Sequence, residues 1–169
     1  MRTQILKIKN QNVEGIYLFG NGPSWAQALK QIKELEFEGK ILTNTAMFIK
    51  NFRDLAGDSI EGVFFTYPYS DKSTESAGKF LNFYKSKYGK EPEIESYYAW
   101  DIIHLLATAL EKNNWDIKNL EKAVLGIKEF NGAFGKTIIT NEGDILTPIG
   151  IGIIENGKIK ELKVFDPSI

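Results

Sequence analysis

No cysteine occurs among the 169 residues, and there is a single histidine. The first absence removes disulfide frameworks, thiolate zinc sites and cysteine nucleophiles together. The second leaves His104 without the histidine partners that a metal site would use, so no metal is expected. An excess of charge of either sign is also missing: 21 Lys and Arg stand against 22 Asp and Glu, a net charge of -1. No strong field therefore draws the chain to nucleic acid or to an anionic membrane. No apolar run approaches the length that spans a bilayer, so membrane insertion is not expected. Residues 1–12, MRTQILKIKNQN, lack the apolar core and small-residue cleavage site of a signal peptide. P-loop, dinucleotide-fingerprint, HExxH and nucleophile-elbow patterns are absent too, so neither enzyme chemistry nor a cofactor is expected.

What is present is enough apolar sequence, 43% of residues, for one domain with a real core or for two small lobes. The chain is organised around residues 96–112, SYYAWDIIHLLATALEK. There Tyr98, Ile102, Leu105, Leu106, Ala109 and Leu110 recur at steps of three and four. That spacing predicts a helix with one apolar face requiring cover, and it sets Tyr98 and Asp101 one turn apart near the N-terminal end, where the helix dipole favours a carboxylate. Before it, Ile5, Leu6 and Ile8 predict a short helix, and the opening TQILKIKN reads as an excised piece as readily as a natural start. Residues 13–19 (VEGIYLF) predict a strand buried on both faces. GNGP at 20–23 breaks the pattern, and Ser24 with Gln27 forms a capping box for a helix carrying Trp25, Ala28, Leu29, Ile32 and Leu35. The unit repeats with a strand at 40–43, a polar loop at 44–46 and a shorter helix ending at Ala56, with Gly57 as its cap. A third strand follows at 62–66. Such alternation predicts a parallel sheet whose strand C-terminal ends carry the ligand-facing loops.

After Tyr69 three helices run without a strand: residues 73–88 closed by Gly89, the central helix, and one capped by Asp116 that carries Ile117, Leu120, Val124 and Ile127. From Phe130 the pattern turns to hairpins, at 136–140, 149–154 and 158–165. Asn156-Gly157 between two apolar runs is a strong hairpin signal, because both turn positions need positive φ.

The loop at 20–24 lies between a strand and a helix N-terminus, where backbone N–H groups can receive a polar or anionic group; a tight turn with a cap explains it equally well. Trp25 at its edge reads first as core. Tyr67 and Tyr69 flank Pro68 at the third strand's end, and each suits either a cleft wall or ordinary packing. His104, mid-helix beside apolar neighbours, reads as structural. The pairs Asp54 and Asp58, and Glu142 and Asp144, read as solvated carboxylates at a helix end and in a turn.

The order GIYLFG, ALKQIKELEFEGKIL, AGDSIEGVFFTYP, YGKEPEIESYYAWD, FNGAFGKTIITNEGD and IGIIENGKIK resembles the type I periplasmic solute-binding proteins. Within them it is most similar to the branched-chain amino-acid (Leu/Ile/Val) binding family of ABC importers. The resemblance covers essentially the whole chain but only the C-terminal portion of such a protein. It implies an α/β, type I periplasmic-binding-protein-like fold in part. Residues 1–70 would be the α/β part of the C-terminal lobe, residues 71–129 a three-helix segment of the N-terminal lobe, and residues 130–169 the hinge return and C-terminal β-hairpins. The implied function is capture of a small polar metabolite, an amino acid or amide-like compound, between two lobes, with an ABC permease as partner of the intact, exported protein in the periplasm or at the cell surface. A ligand-sensing regulator or receptor domain on the same fold is the alternative. The implied ligand-binding residues are Asn21, Gly22, Asn44, Thr45 and Tyr67. Asn21 falls where branched-chain amino-acid binders tend to carry an aromatic. Thr45 falls where they place a carboxylate for the ligand's ammonium, so a neutral polar ligand, or an amine recognised elsewhere, is expected. Helices that would normally cover an absent sheet leave an apolar face, which predicts a homo-oligomer of this chain.

Overall fold

The computed structural model describes residues 1–20 and 22–166. In chain order its elements are α1 (Arg2–Lys9), β1 (Gly15–Leu18), α2 (Pro23–Glu34), β2 (Lys40–Thr43), α3 (Lys50–Ala56), β3 (Phe64–Pro68), α4 (Glu75–Tyr88), α5 (Ile94–Lys112), α6 (Leu120–Leu125), β4 (Glu129–Gly132), β5 (Gly135–Ile139), β6 (Ile145–Leu146), β7 (Ile149–Glu155) and β8 (Lys158–Phe165). They fall into two compact units, Met1–Tyr67 with Gly150–Val164, and Pro68–Ile149 with the chain from Phe165.

The first unit holds a five-stranded sheet in the order β1-β2-β3-β7-β8. β1, β2 and β3 run parallel, with Leu18 beside Thr43 and Thr43 beside Phe65. β7 joins β3 from the other side: a Cβ at Gly152 would meet the Phe65 ring and one at Gly150 the Tyr67 ring, so the partners descend as the strand ascends and the pair is antiparallel. These two glycines leave room for large aromatic rings to lie across the strand. The β7–β8 hairpin turns at Asn156 and Gly157, with φ of 54° and 70°, as the Asn-Gly pair predicts.

Ile16 and Leu18, Ile41 and Thr43, Phe65 and Tyr67 are buried on one side of the sheet, and the unit's core adds Leu29, Ile32, Met47 and Phe52. The expectation of a first strand buried on both faces is corrected here: β1 alternates, with Tyr17 58% exposed. Period two, rather than the continuous apolar run, describes what the strand buries in this unit. The capping box at Ser24 is corrected as well. α2 begins two residues earlier than a Ser24 cap would set it, with Gly22 as N-cap, no side-chain cap and Pro23 in the first turn. Proline's fixed φ and missing N–H suit the first helical position, so it starts the helix before the serine can cap it. α3 ends where expected, on Gly57 at a φ of 57°.

The second unit packs α4, α5 and α6 with the three-stranded antiparallel sheet β4-β5-β6. α4 starts at Glu75, capped by the Thr74 hydroxyl, which accepts from the Ala77 N–H, and ends on Gly89 in the left-handed conformation. Asp116 caps a short 3-10 turn, accepting from the Lys118 N–H, before α6 begins. One core cluster joins Leu105 and Ala109 of α5 to Ile127 and Ile139, with Leu120, Val124 and Phe130 packed against it. The apolar face of α5 is therefore covered in its C-terminal half, whereas Tyr98 and Ile102, which the spacing puts on the same face, are exposed, Ile102 by 52%.

Phe80 centres an aromatic group in this unit, with ring centroids 4.7 Å from Tyr97 and 5.3 Å from Trp100. Asp101 does not face the helix terminus as the sequence suggests. It lies two turns into α5, where its carboxylate accepts the N–H groups of Ala133 and Phe134. Gly132 beside it lacks the Cβ that would collide with that carboxylate.

Candidate functional site

The loops at the C-terminal ends of β1, β2 and β3 lie side by side because the strands are parallel neighbours in register. After β1, Gly20 at a φ of 151° has the indole of Trp25 against it, where any Cβ would collide with the ring. The half-buried Trp25 thus seats the loop instead of filling the deep core. Gly22, at a φ of 79°, follows and leads into α2, whose first-turn N–H groups have no side-chain cap. Asn21 lies outside the described residues.

After β2, Thr43 is buried and donates its hydroxyl to the Leu18 carbonyl at 2.8 Å, tying the ends of β1 and β2 together. Asn44 accepts the Ala46 N–H on its side-chain oxygen and caps a 3-10 turn, Thr45–Phe48. That leaves the Asn44 amide N–H₂ and the half-buried Thr45 hydroxyl as neutral hydrogen-bonding groups at the edge. Phe48 closes the turn and meets the Tyr67 ring with centroids 4.9 Å apart.

At the end of β3, Tyr67 is 8% exposed, and its hydroxyl donates to Glu161 Oε2 of β8 at 2.7 Å. Of the residues singled out from sequence, Gly22, Asn44, Thr45 and Tyr67 thus share one edge of one unit. Glu161 and Phe48, which contact Tyr67, were not singled out from the sequence. Phe48 had a local signal, an aromatic three residues after Thr45, while Glu161 sits in an ordinary alternating strand 94 positions from Tyr67.

Three of the remaining candidates have structural partners. His104 is exposed, stacked on Trp100 with centroids 4.1 Å apart, and its Nδ1 is 2.8 Å from the Trp100 carbonyl. Asp54 pairs with Lys50 at 2.6 Å. Asp144 belongs to a turn in which its N–H donates to the Thr140 hydroxyl. Among the described residues no group of three His, Asp or Glu side chains is placed to hold a metal ion. An open depression of about 540 Å³ lies ahead of β3, at its N-terminal end, lined in part by Arg53, Asp54, Asp58 and Glu61. There the Glu61 carboxylate accepts the N–H groups of Gly157 and Asn156, which hold its pKa below the usual carboxylate value. This pins the β7–β8 turn.

A family model described as "periplasmic binding protein" matches residues 1–158. The chain belongs to that family. Among solved structures it is similar to the leucine-binding protein LivK of Thermotoga maritima, with a TM-score of 0.86 and 29% identity over 98% of this chain and 48% of that one. It is also similar to the branched-chain amino-acid transporter substrate-binding protein LivJ of Streptococcus pneumoniae in complex with isoleucine, at a TM-score of 0.78 and 21% identity over 98% and 48% of the two chains. A solute-binding protein of an ABC transporter from R. palustris, in complex with benzoate, matches at 0.74 and 15% over 98% and 46%. The last two likenesses are of fold. The chain spans about half the length of these structures. Its fold is that of the type I periplasmic binding proteins, in the part its 169 residues cover, and its relatives are binding proteins of transporters, not enzymes.

Proposed function

We propose that this chain is part of a solute-binding protein of an ABC importer that captures a small polar metabolite, an amino acid or amide-like compound, by closure of two lobes. The observation that carries the reading is the edge itself. Gly22 at an uncapped helix start, the Asn44 amide, the Thr45 hydroxyl and Tyr67 stand at the ends of three adjacent parallel strands. Open α/β sheets bind ligands in that position. Asn21, between Gly20 and Gly22, belongs to the same ligand-binding set. Tyr67 contributes from the wall, its hydroxyl already committed to Glu161. Binding occurs without chemistry: a ligand touching both lobes selects the closed state, and closure is what the permease reads.

In this reading residues 1–70 belong to the C-terminal lobe, residues 71–129 to the other lobe and residues 130–169 to the hinge return and final hairpins. The working protein is exported to the periplasm or cell surface. The exposed Ile102 and Ile103 of α5 support self-association of the 169-residue chain made alone.

The reading is tested by thermal denaturation of the intact gene product against amino acids, their amides and small carboxylates. A saturable rise in Tm with one compound class, reduced about tenfold in apparent affinity by Asn44→Ala, is expected. A flat response across all classes sinks it. A second reading, a ligand-sensing receptor domain, is supported by the likeness in fold to an extracellular ligand binding receptor from Desulfohalobium retbaense, at a TM-score of 0.71 and 21% identity. A signalling domain encoded in the same reading frame would favour it.

A further inference from the structure

The five-stranded sheet of the first unit has two outer strands, and they differ in what they show to solvent. β8, on one side, carries Lys158, Lys160, Glu161 and Lys163, charged side chains of the kind that keep an outer strand from pairing with another chain. β1, on the other, reads Gly15-Ile16-Tyr17-Leu18 and continues into Phe19 without a charge or a proline. Tyr17 is 58% exposed and Phe19 66%, and their ring centroids are 6.3 Å apart on the same face. The backbone is open too. The Glu14 carbonyl accepts the Lys40 N–H at 2.9 Å, so Ile16 and Leu18, at alternate positions, also face β2. The N–H and C=O groups of Gly15 and Tyr17, with the Phe19 N–H, therefore point away from the sheet.

Such a strand is complementary to itself. Turned about a two-fold axis at Tyr17, a second β1 runs antiparallel to the first, so that Tyr17 faces its own copy and Gly15 faces Phe19. These are the residues whose backbone groups point outward, and Gly15, with no side chain, gives the Phe19 ring room. On the other face the buried Ile16 meets Leu18. A half-exposed aromatic ring leaves about 100 Å² to cover. The rings of two copies and the paired strands thus make a contact at the small end of protein interfaces, which suits association at micromolar concentration. We propose that the outer strand β1 is a homodimer surface of this chain, on which a second copy pairs antiparallel about Tyr17 and extends the sheet. This surface serves the self-association of the 169-residue chain and is independent of solute binding, which we place at the strand ends.

The chain has no cysteine, so a single introduced one reports proximity. Directly opposite residues of a hydrogen-bonded antiparallel pair have Cα atoms about 5.5 Å apart, within the span of a disulfide. Tyr17→Cys is expected to give a disulfide-linked dimer on mild oxidation. Leu42→Cys, one strand further in on the same face and 39% exposed, is not. Sedimentation of the unaltered chain between about 1 and 100 µM is expected to show a monomer–dimer equilibrium. Tyr17→Lys, which sets two ammonium groups opposite each other, should weaken it roughly tenfold or more. Circular dichroism and an unchanged Tm show that each variant is folded. Equal cross-linking of the two cysteine variants overturns the proposal, as does a dimer that Tyr17→Lys leaves intact, such as one formed through Ile102 and Ile103 of α5. Monomers throughout that range also overturn it. So does a longer gene product whose own chain covers β1 and keeps the Tyr17→Cys thiol uncoupled.

Discussion

At the β4–β5 turn both backbone groups of Ala133 have protein partners: Asp101 accepts its N–H, and the Ser70 hydroxyl donates to its carbonyl at 2.7 Å. The next N–H, of Phe134, also goes to Asp101, and the Phe134 ring stacks on Tyr97 and Tyr98. At the loops after β1 and β2 the arrangement differs. Thr43 is buried and bonded, but Asn44 spends one oxygen on a cap, Thr45 and Gly22 stay half-buried, and the α2 start has no side-chain cap. Both regions use short polar residues beside aromatics. The first satisfies its polar groups internally, which fixes backbone and leaves nothing for a ligand. The second fixes its backbone with Thr43 and Trp25 and leaves neutral donors and acceptors open. A binding edge needs that combination of rigid support and unspent hydrogen bonds.

Three substitutions break or sharpen this contrast. The largest effect is expected from Phe80→Ala, which removes the ring at the centre of the second unit's aromatic group; about 3–5 kcal/mol of stability should be lost in urea titrations. A loss below about 1 kcal/mol would mean the group is not the rigid partner described here.

Asp101→Asn comes next, at about 1.5–3 kcal/mol, because the amide retains only one oxygen for two N–H donors. It also carries a pH signature. Burial raises the Asp101 pKa above 3.8, outweighing the lowering by the Ala133 and Phe134 N–H groups and by His104. The folded state therefore holds this proton more tightly than the unfolded chain does. Its effect on stability is unfavourable at neutral pH and fades as pH falls through the folded pKa towards the unfolded one. Asp71 has the opposite sign. The Ser73 hydroxyl and N–H lower its pKa below 3.8, so its contribution is present above that value and is lost on further acidification. The stability advantage of the parent over Asp101→Asn should accordingly widen between neutral pH and about pH 4, read from paired urea titrations. A gap that stays constant over that range would mean that partial burial does not raise the Asp101 pKa.

The smallest effect, about 1 kcal/mol, is expected for Thr43→Val, which leaves the Leu18 carbonyl without its hydroxyl donor. If the open edge is supported as described, apparent ligand affinity falls with it, although Thr43 itself is buried.

Local chemistry was legible in the sequence wherever it decides the backbone alone. Gly57 and Gly89 end helices in left-handed or related conformations, and Asn156-Gly157 turns the last hairpin, because each position needs a positive φ that few residues adopt. The strand–helix alternation up to residue 68 was legible for the same kind of reason, a period read over a few residues. The cap at Ser24 was misread because two local signals competed and Pro23, one residue earlier, started the helix first.

What the tertiary structure alone decided are the contacts that join distant segments. Asp101 reads from its neighbours as a dipole partner near a helix start, yet it binds N–H groups 32 and 33 residues away. Glu161 carries no mark in KIKELKVF, and its meeting with Tyr67 depends on β8 being the second strand beyond β3 and on Gly150 making room between them. Periodicity and turn chemistry act through the backbone over a few residues, so the sequence by itself determined the elements and the polar loops at their ends. Which charge Tyr67 meets depends on strand order, which the packing of the whole sheet sets.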